Sequence, residues 1–156
     1  MVNEFGESPK QAEYRAWWQP VIDASFDDPE QEPARLFWPN HVRVFLPWPT
    51  RVWATAYRYG GDTGFVGVGT NGQEPQYSQL VAALIQQRAE ILAELPEGAD
   101  FLPTENNKLS IRTQRKAKDF KSDNEMRQWL SSALNMYVNA LRPRLKALSR
   151  ELRANE

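Results

Sequence analysis

From Met126 to Leu152 the apolar residues Met126, Leu130, Leu134, Tyr137, Leu141, Leu145, Leu148 and Leu152 recur at steps of three and four. That is about eight turns of one helical face. Ser122-Asp123-Asn124-Glu125 precedes the stripe as a capping box, in which the hydroxyl and the carboxylate satisfy amides the helix leaves open. Pro143 interrupts the ladder by depriving Asn139 of its backbone bond, so a kink or a break into two helices is expected there. A second helix is predicted at the other end of the chain. Ser8-Pro9-Lys10-Gln11 combines an N-cap hydroxyl, a proline at the first helical position and a capping Gln. Tyr14, Trp17, Trp18, Val21, Ile22 and Phe26 follow at helical spacing, with Pro20 expected to kink the helix near Ala16 or end it early.

Between these helices the period changes from 3.6 to 2. His41 to Leu46 alternates Val42, Val44 and Leu46 against Arg43 and Phe45. Arg51 to Tyr59 sets Val52, Ala54 and Ala56 against Trp53, Thr55, Tyr57 and Tyr59. Gly60 to Gly64 reads as a turn and Phe65 to Thr70 as a returning strand, which gives an antiparallel meander. Pro75 opens a helix whose stripe runs from Tyr77 to Leu95 until Pro96 and Gly98 stop it. Phe101-Leu102 and Lys108 to Thr113 read as two further strands joined at Asn106-Asn107, and the acidic stretch Asp27 to Pro33 as a loop. The expected fold is a single α+β domain over residues 1–156, with a mainly antiparallel sheet of about five strands, packed helices and a long kinked C-terminal helix.

At 156 residues and 41% hydrophobic content the chain is large enough for one cooperative core without disulfides or structural metal. With no cysteine, thiol nucleophiles and thiolate zinc sites are excluded. The longest apolar run, Val81 to Ile85, is far too short to span a bilayer, and residues 1–20 lack the pattern of a secretory signal. A cytoplasmic protein without a membrane partner is therefore expected.

Charge is sorted along the chain. Residues 1–107 carry 7 Lys+Arg against 15 Asp+Glu, and residues 108–156 carry 12 against 5, so a net of −8 precedes a net of +7. A basic third on an acidic protein is an electrostatic footprint for phosphate or for an acidic surface. The candidate nucleic-acid-binding residues are Lys108, Arg112, Arg115, Lys116, Lys118 and Lys121 on a strand and the loop after it, with Arg142, Arg144 and Lys146 on the last helix. Equally, these cations can balance the acidic two-thirds within one fold or between subunits. Trp53, Tyr57 and Tyr59 suit base stacking, but burial against the Trp-rich first helix is the expectation for that face.

Catalytic signatures are absent. Gly67-Val68-Gly69-Thr70-Asn71-Gly72 matches the dinucleotide fingerprint in spelling but not in context, because the following helix opens only at Pro75 and the preceding strands read as a hairpin. A glycine-containing strand and a turn account for it. His41 is the sole histidine and has no nucleophile motif beside it. The carboxylates Asp23, Asp27, Asp28, Glu30 and Glu32 lack the spacing of a calcium loop, and no Glu-x-Lys occurs for a restriction-type nuclease. No enzyme activity, metal or cofactor is expected. A small enzyme of another type would need convergent polar groups in a pocket around His41 or Glu105.

The helix Gln79 to Leu95, the basic strand Lys108 to Thr113, and Leu141-Arg142-Pro143-Arg144-Leu145-Lys146-Ala147-Leu148 resemble, over about residues 10–150, a bacterial domain-of-unknown-function family. Its members are often joined to the C-terminus of restriction-endonuclease-like nuclease domains. The resemblance implies a non-catalytic accessory domain near DNA processing or defence, with no catalytic residues to carry over. Beginning at Met1, the chain is expected to stand without that nuclease partner. Binding of DNA or RNA phosphates is thus the leading expectation. The alternative is a protein-protein interaction or oligomer-assembly domain, in which the +7 end meets the −8 surface of another protein or a second copy.

Overall fold

Strands β1 (Arg35–Phe37), β2 (His41–Phe45), β3 (Trp53–Tyr59), β4 (Thr63–Thr70), β5 (Asp100–Phe101) and β6 (Leu109–Lys116) form one sheet, with the order β1-β2-β3-β4-β6-β5 and every pairing antiparallel. Helices α1 (Pro9–Asp23), α2 (Pro75–Gln86), α3 (Arg88–Ala93) and α4 (Asp123–Ala154) complete an α+β fold. The structure, a computed structural model, describes residues 2–37, 41–46, 52–59, 63–70, 75–101 and 109–154.

Period-2 alternation gives the sheet two unlike faces. Val42, Val44, Leu46, Val52, Ala54, Ala56 and Ile111 point inward and are buried, together with Trp18 and Val21 of α1, Leu80 and Leu84 of α2, Ile91 of α3 and the apolar stripe of α4. All four helices therefore share one core with one sheet face. Each fully buried Leu of α4 contributes about 1.5–3 kcal/mol of transfer free energy, which outweighs local conflicts in the helix. Pro143 is one such conflict. The break it permits does not occur: α4 runs as one element of 32 residues because Leu141, Leu145 and Leu148 on both sides of the proline are held in the core.

The same reasoning covers α1, which runs to Asp23 through Pro20 because Trp18 and Val21 flank the proline and are both buried. Its N-terminus forms the reciprocal capping box, with the Gln11 amide donating to Ser8 Oγ at 3.2 Å and the Ser8 amide donating to Gln11 Oε1 at 2.8 Å. The helix expected from Pro75 to Leu95 is two helices, divided at Gln87. Strand β6 continues through Arg115 and Lys116, and β1 is a strand in addition to those expected. Lys108, Leu102 and the Asn106-Asn107 turn lie outside the described residues, as do residues 60–62 of the expected turn.

One polar pair crosses the core. Thr113 Oγ1 and Tyr137 Oη lie 2.8 Å apart with both residues fully buried. Burial pushes the Tyr137 phenol up to about 12, so it stays neutral. Tyr137→Phe leaves the Thr113 hydroxyl without its partner and is expected to cost about 1–2 kcal/mol, read as a lower urea midpoint at unchanged slope.

Candidate nucleic-acid interface

The three candidate cations of α4, Arg142, Arg144 and Lys146, are engaged within the chain. Arg142, with its side chain only 11% exposed, places Nε 3.2 Å from Asp28 and Nη2 3.7 Å from Glu30, and Nη1 donates to Gln31 Oε1 at 2.8 Å. The Nε contact is an ion pair by distance alone, since that N–H meets no aligned acceptor. Lys146 pairs with Glu30, and Arg144 pairs with Glu94 while donating to Gln87 at 3.1 Å and to the Ala140 carbonyl at 2.7 Å. The acidic loop is thus laid along α4. Asn135 and Asn139 both donate to Asp27 and hold its carboxyl below the usual range, and the Lys146 ammonium does the same for Glu30. Gln31 closes the arrangement by donating to the Phe45 carbonyl at 2.8 Å.

Of the nine candidate cations Lys108 lies outside the described residues, and the structure does not bring the other eight into one unpaired patch. Arg142, Arg144 and Lys146 balance acids of the first two-thirds of the same fold. Arg115 belongs to the inner side, its guanidinium 4.3 Å from the Phe120 ring and 5.7 Å from that of Trp129. Arg112, Lys116, Lys118 and Lys121 are exposed along β6, the turn Ala117–Asp119 and the entry to α4. Neither Lys116, Lys118 nor Lys121 has a carboxylate within ion-pair distance among the described residues. Sequence reading missed Arg58 and Arg127 nearby, whose guanidinium groups lie 4.3 and 5.1 Å from the Trp17 ring, with Trp17 Nε1 donating to Asp123 at 3.1 Å.

The outer sheet face departs from expectation more sharply. Trp53 and Tyr57 are not packed under α1, because α1 lies on the opposite face with Val42 and Val44. Register sets Phe37, His41 and Tyr57 in one cross-strand row, Arg35, Arg43 and Thr55 in the next, and Phe45 with Trp53 in a third. Rings and guanidinium groups interleave: His41 lies 5.9 Å from Phe37 and 4.9 Å from Tyr57, and Arg43 sits 4.5 Å above Phe37 and 5.2 Å above Trp53. Arg35 adds a third such contact, 5.4 Å from Phe45. The alternation of β2 and β3 was the signal for this face; what it could not give was the side the helices would choose.

Neither ring nitrogen of His41 has a hydrogen-bond partner, and both are shielded from solvent. Burial, and then the charge of Arg43, hold its pKa below the ordinary 6.5. Just below pH 6.5 the unfolded chain takes a proton that the folded chain refuses, so stability falls as pH drops from about 6.5 toward the folded value. Glu7, Asp27, Glu30 and Asp100 are also lowered, but their contributions are lost only in a separate window below about pH 4.5. His41→Phe should flatten the thermal midpoint just below about pH 6.5 and leave the acidic limb in place.

The fingerprint spelling has no nucleotide geometry. Gly67 to Gly69 lie inside β4, bonded on both sides to β3 and β6, and α2 begins at Pro75. An open cleft of about 600 Å³ beside the end of α1 is lined by Ile22, Phe26, Asp28 and Gln31 among others, and His41 does not line it. Glu105 lies outside the described residues. Among the described residues no cluster of His, Asp and Glu is grouped to hold a metal ion, and no helix is long and apolar enough to cross a membrane.

What the fold and this surface define is a class, an α+β domain with helices on one face of an antiparallel sheet and an aromatic, cationic second face. No protein-family profile matches the chain, and no curated protein matches it. Among solved structures it is similar to an uncharacterized protein from Methanothermobacter thermautotrophicus, at 14% identity and a TM-score of 0.41, over 92% of this chain and 99% of that one.

Proposed function

We propose that the chain is a non-catalytic accessory domain that contacts nucleic-acid phosphates through Lys116, Lys118 and Lys121, with Arg112 beside them on the exposed face of β6. The observation that carries this reading is the contrast between two sets of cations. Arg142, Arg144 and Lys146 of α4 meet carboxylates of their own chain, whereas these three lysines are exposed and meet none among the described residues. The same contrast weakens the assembly reading, because the charges that would have joined two copies are used inside one. A role near DNA processing or defence belongs to the same proposal and rests on the sequence resemblance, and cytoplasmic residence belongs to it on the short apolar runs and the lack of a secretory pattern in residues 1–20.

The test is fluorescence anisotropy of labelled single-stranded and duplex oligonucleotides of about 20 nucleotides across a salt series, beside light scattering. Three or four phosphate contacts predict a log–log slope of about −2 to −4 without oligomers. Absence of binding at low salt overturns the reading, and salt-sensitive oligomers without binding would establish the assembly domain instead.

A further inference from the structure

We propose that the open cleft between the end of α1 and the acidic loop is a binding site for a small organic cation, an ammonium group carried on an apolar stem. It is separate from Lys116, Lys118 and Lys121 and does not depend on the phosphate reading. The cleft has a volume of about 600 Å³, inside the range of about 300–1,000 Å³ that small-molecule sites occupy. Ile22, Phe26, Pro29 and Pro33 give it apolar walls. Ile22 and Phe26 also pack against the core, which fixes those walls from behind. Gln31 forms another wall at 9% exposure, its amide nitrogen donating to the Phe45 and Glu32 carbonyls at 2.8 and 3.1 Å and its oxygen accepting from Arg142. The Asp27 amide donates to Asn135 Oδ1 at 2.9 Å. With the loop held on α4 in this way, the cleft is formed before a ligand arrives.

The polar side chains of the lining decide the ligand. They are Asp23, Ser25, Asp28 and Gln31, and no Lys or Arg lines the cleft among the described residues. Arg142 reaches Asp28 from the α4 side at 3.2 Å, but it does not reach Asp23. Asp23 accepts from the neutral Gln19 amide at 2.9 Å and has no Lys or Arg within ion-pair distance among the described residues. It is also the last residue of α1, whose final turn carries no basic side chain to offset the negative end of the helix dipole. An anion entering the cleft meets like charge at Asp23. A neutral apolar molecule suits the walls but takes that carboxylate out of water without a partner. An alkylammonium satisfies both, with its stem along Phe26 and the prolines and its head at Asp23.

The test is an amide NMR titration of the full chain at low salt with four probes: n-hexylammonium, n-hexanol, hexanoate and ammonium chloride. Hexylammonium should shift the amides of residues 22–31 and bind at least about 5-fold more tightly than the uncharged stem, the anionic stem or the bare cation. Asp23→Asn, at an exposed position bonded only to Gln19 of its own helix, should lower hexylammonium affinity to the hexanol level and leave hexanol binding unchanged. Equal binding of hexylammonium and hexanol by the native chain overturns the proposal, as do tighter binding of hexanoate, shifts that avoid residues 22–31, or no shift at all. The comparison of probes on the native chain needs no variant to fold, and none of its outcomes bears on the oligonucleotide series.

Discussion

Replacing Lys116, Lys118 and Lys121 together by glutamate is expected to weaken binding of a single strand by about two orders of magnitude at moderate salt, with the unfolding midpoint almost unchanged. Both halves of that expectation follow from position. The three ammonium groups stand at the surface without a carboxylate partner among the described residues, so reversing them breaks no ion pair. A phosphate backbone lying along β6 would lose three attractions and meet three repulsions, and each neutralised phosphate carries the release of about one counterion. Anisotropy titration with an oligothymidylate reads the affinity, and thermal unfolding reads the midpoint. Unaltered affinity in a folded variant would remove these lysines from the interface.

Arg142→Ala should do the reverse. The side chain is 11% exposed and joins Asp28, Glu30 and Gln31 to α4, so truncation leaves a partly buried carboxylate and an amide oxygen without their donor. Fully buried pairs lose about 3–5 kcal/mol on such truncation, and the exposure of Glu30 at 65% reduces the expectation here to about 2–3 kcal/mol. For a chain of this size that is a drop of roughly 5–10 °C in the thermal midpoint. Arg142→Lys should recover little of it, because one ammonium cannot reach three acceptors in different directions. Nucleic-acid affinity, measured below the midpoint of the variant, should stay within about twofold of the native value. A stable variant with weakened binding would reverse the roles assigned to the two sets of cations.

These two sets look alike in the sequence. Arg142-Pro143-Arg144-Leu145-Lys146 and Arg115-Lys116-Ala117-Lys118 are both short basic runs, and composition gives no reason to separate them. What separates them is a loop more than 100 positions earlier, which the fold lays against one side of α4. The one local hint is that Arg142 and Lys146 are four apart and so share a helix face, which is where Asp28 and Glu30 arrive. The charge sorting that suggested a partner is therefore in part a device for docking the acidic loop.

Fold legibility followed the strength of the local pattern. The stripe of α4 and the cap of α1 are repeated, redundant signals, and both helices form where expected. Strand β1 is three residues with a single inward side chain, Leu36, too short for alternation to register. The extension of β6 was hidden for another reason: Gln114-Arg115-Lys116 is uniformly polar, and only the rings of Phe120 and Trp129 make an inward Arg115 tolerable. The outer face was misjudged because aromatic residues usually fill cores. Alternation placed Trp53 and Tyr57 together but carries no information about which side of a sheet the helices will cover.

The most direct test of the division between structural and binding cations is the salt slope of oligothymidylate binding, compared among the native chain, the Lys116/Lys118/Lys121→Glu variant and an Arg144→Gln/Lys146→Gln variant. The slope should become shallower by about 2–3 in the lysine variant and keep its native value in the helix variant, whose loss should appear in the unfolding midpoint instead. A slope reduced in the helix variant and preserved in the lysine variant would contradict the account.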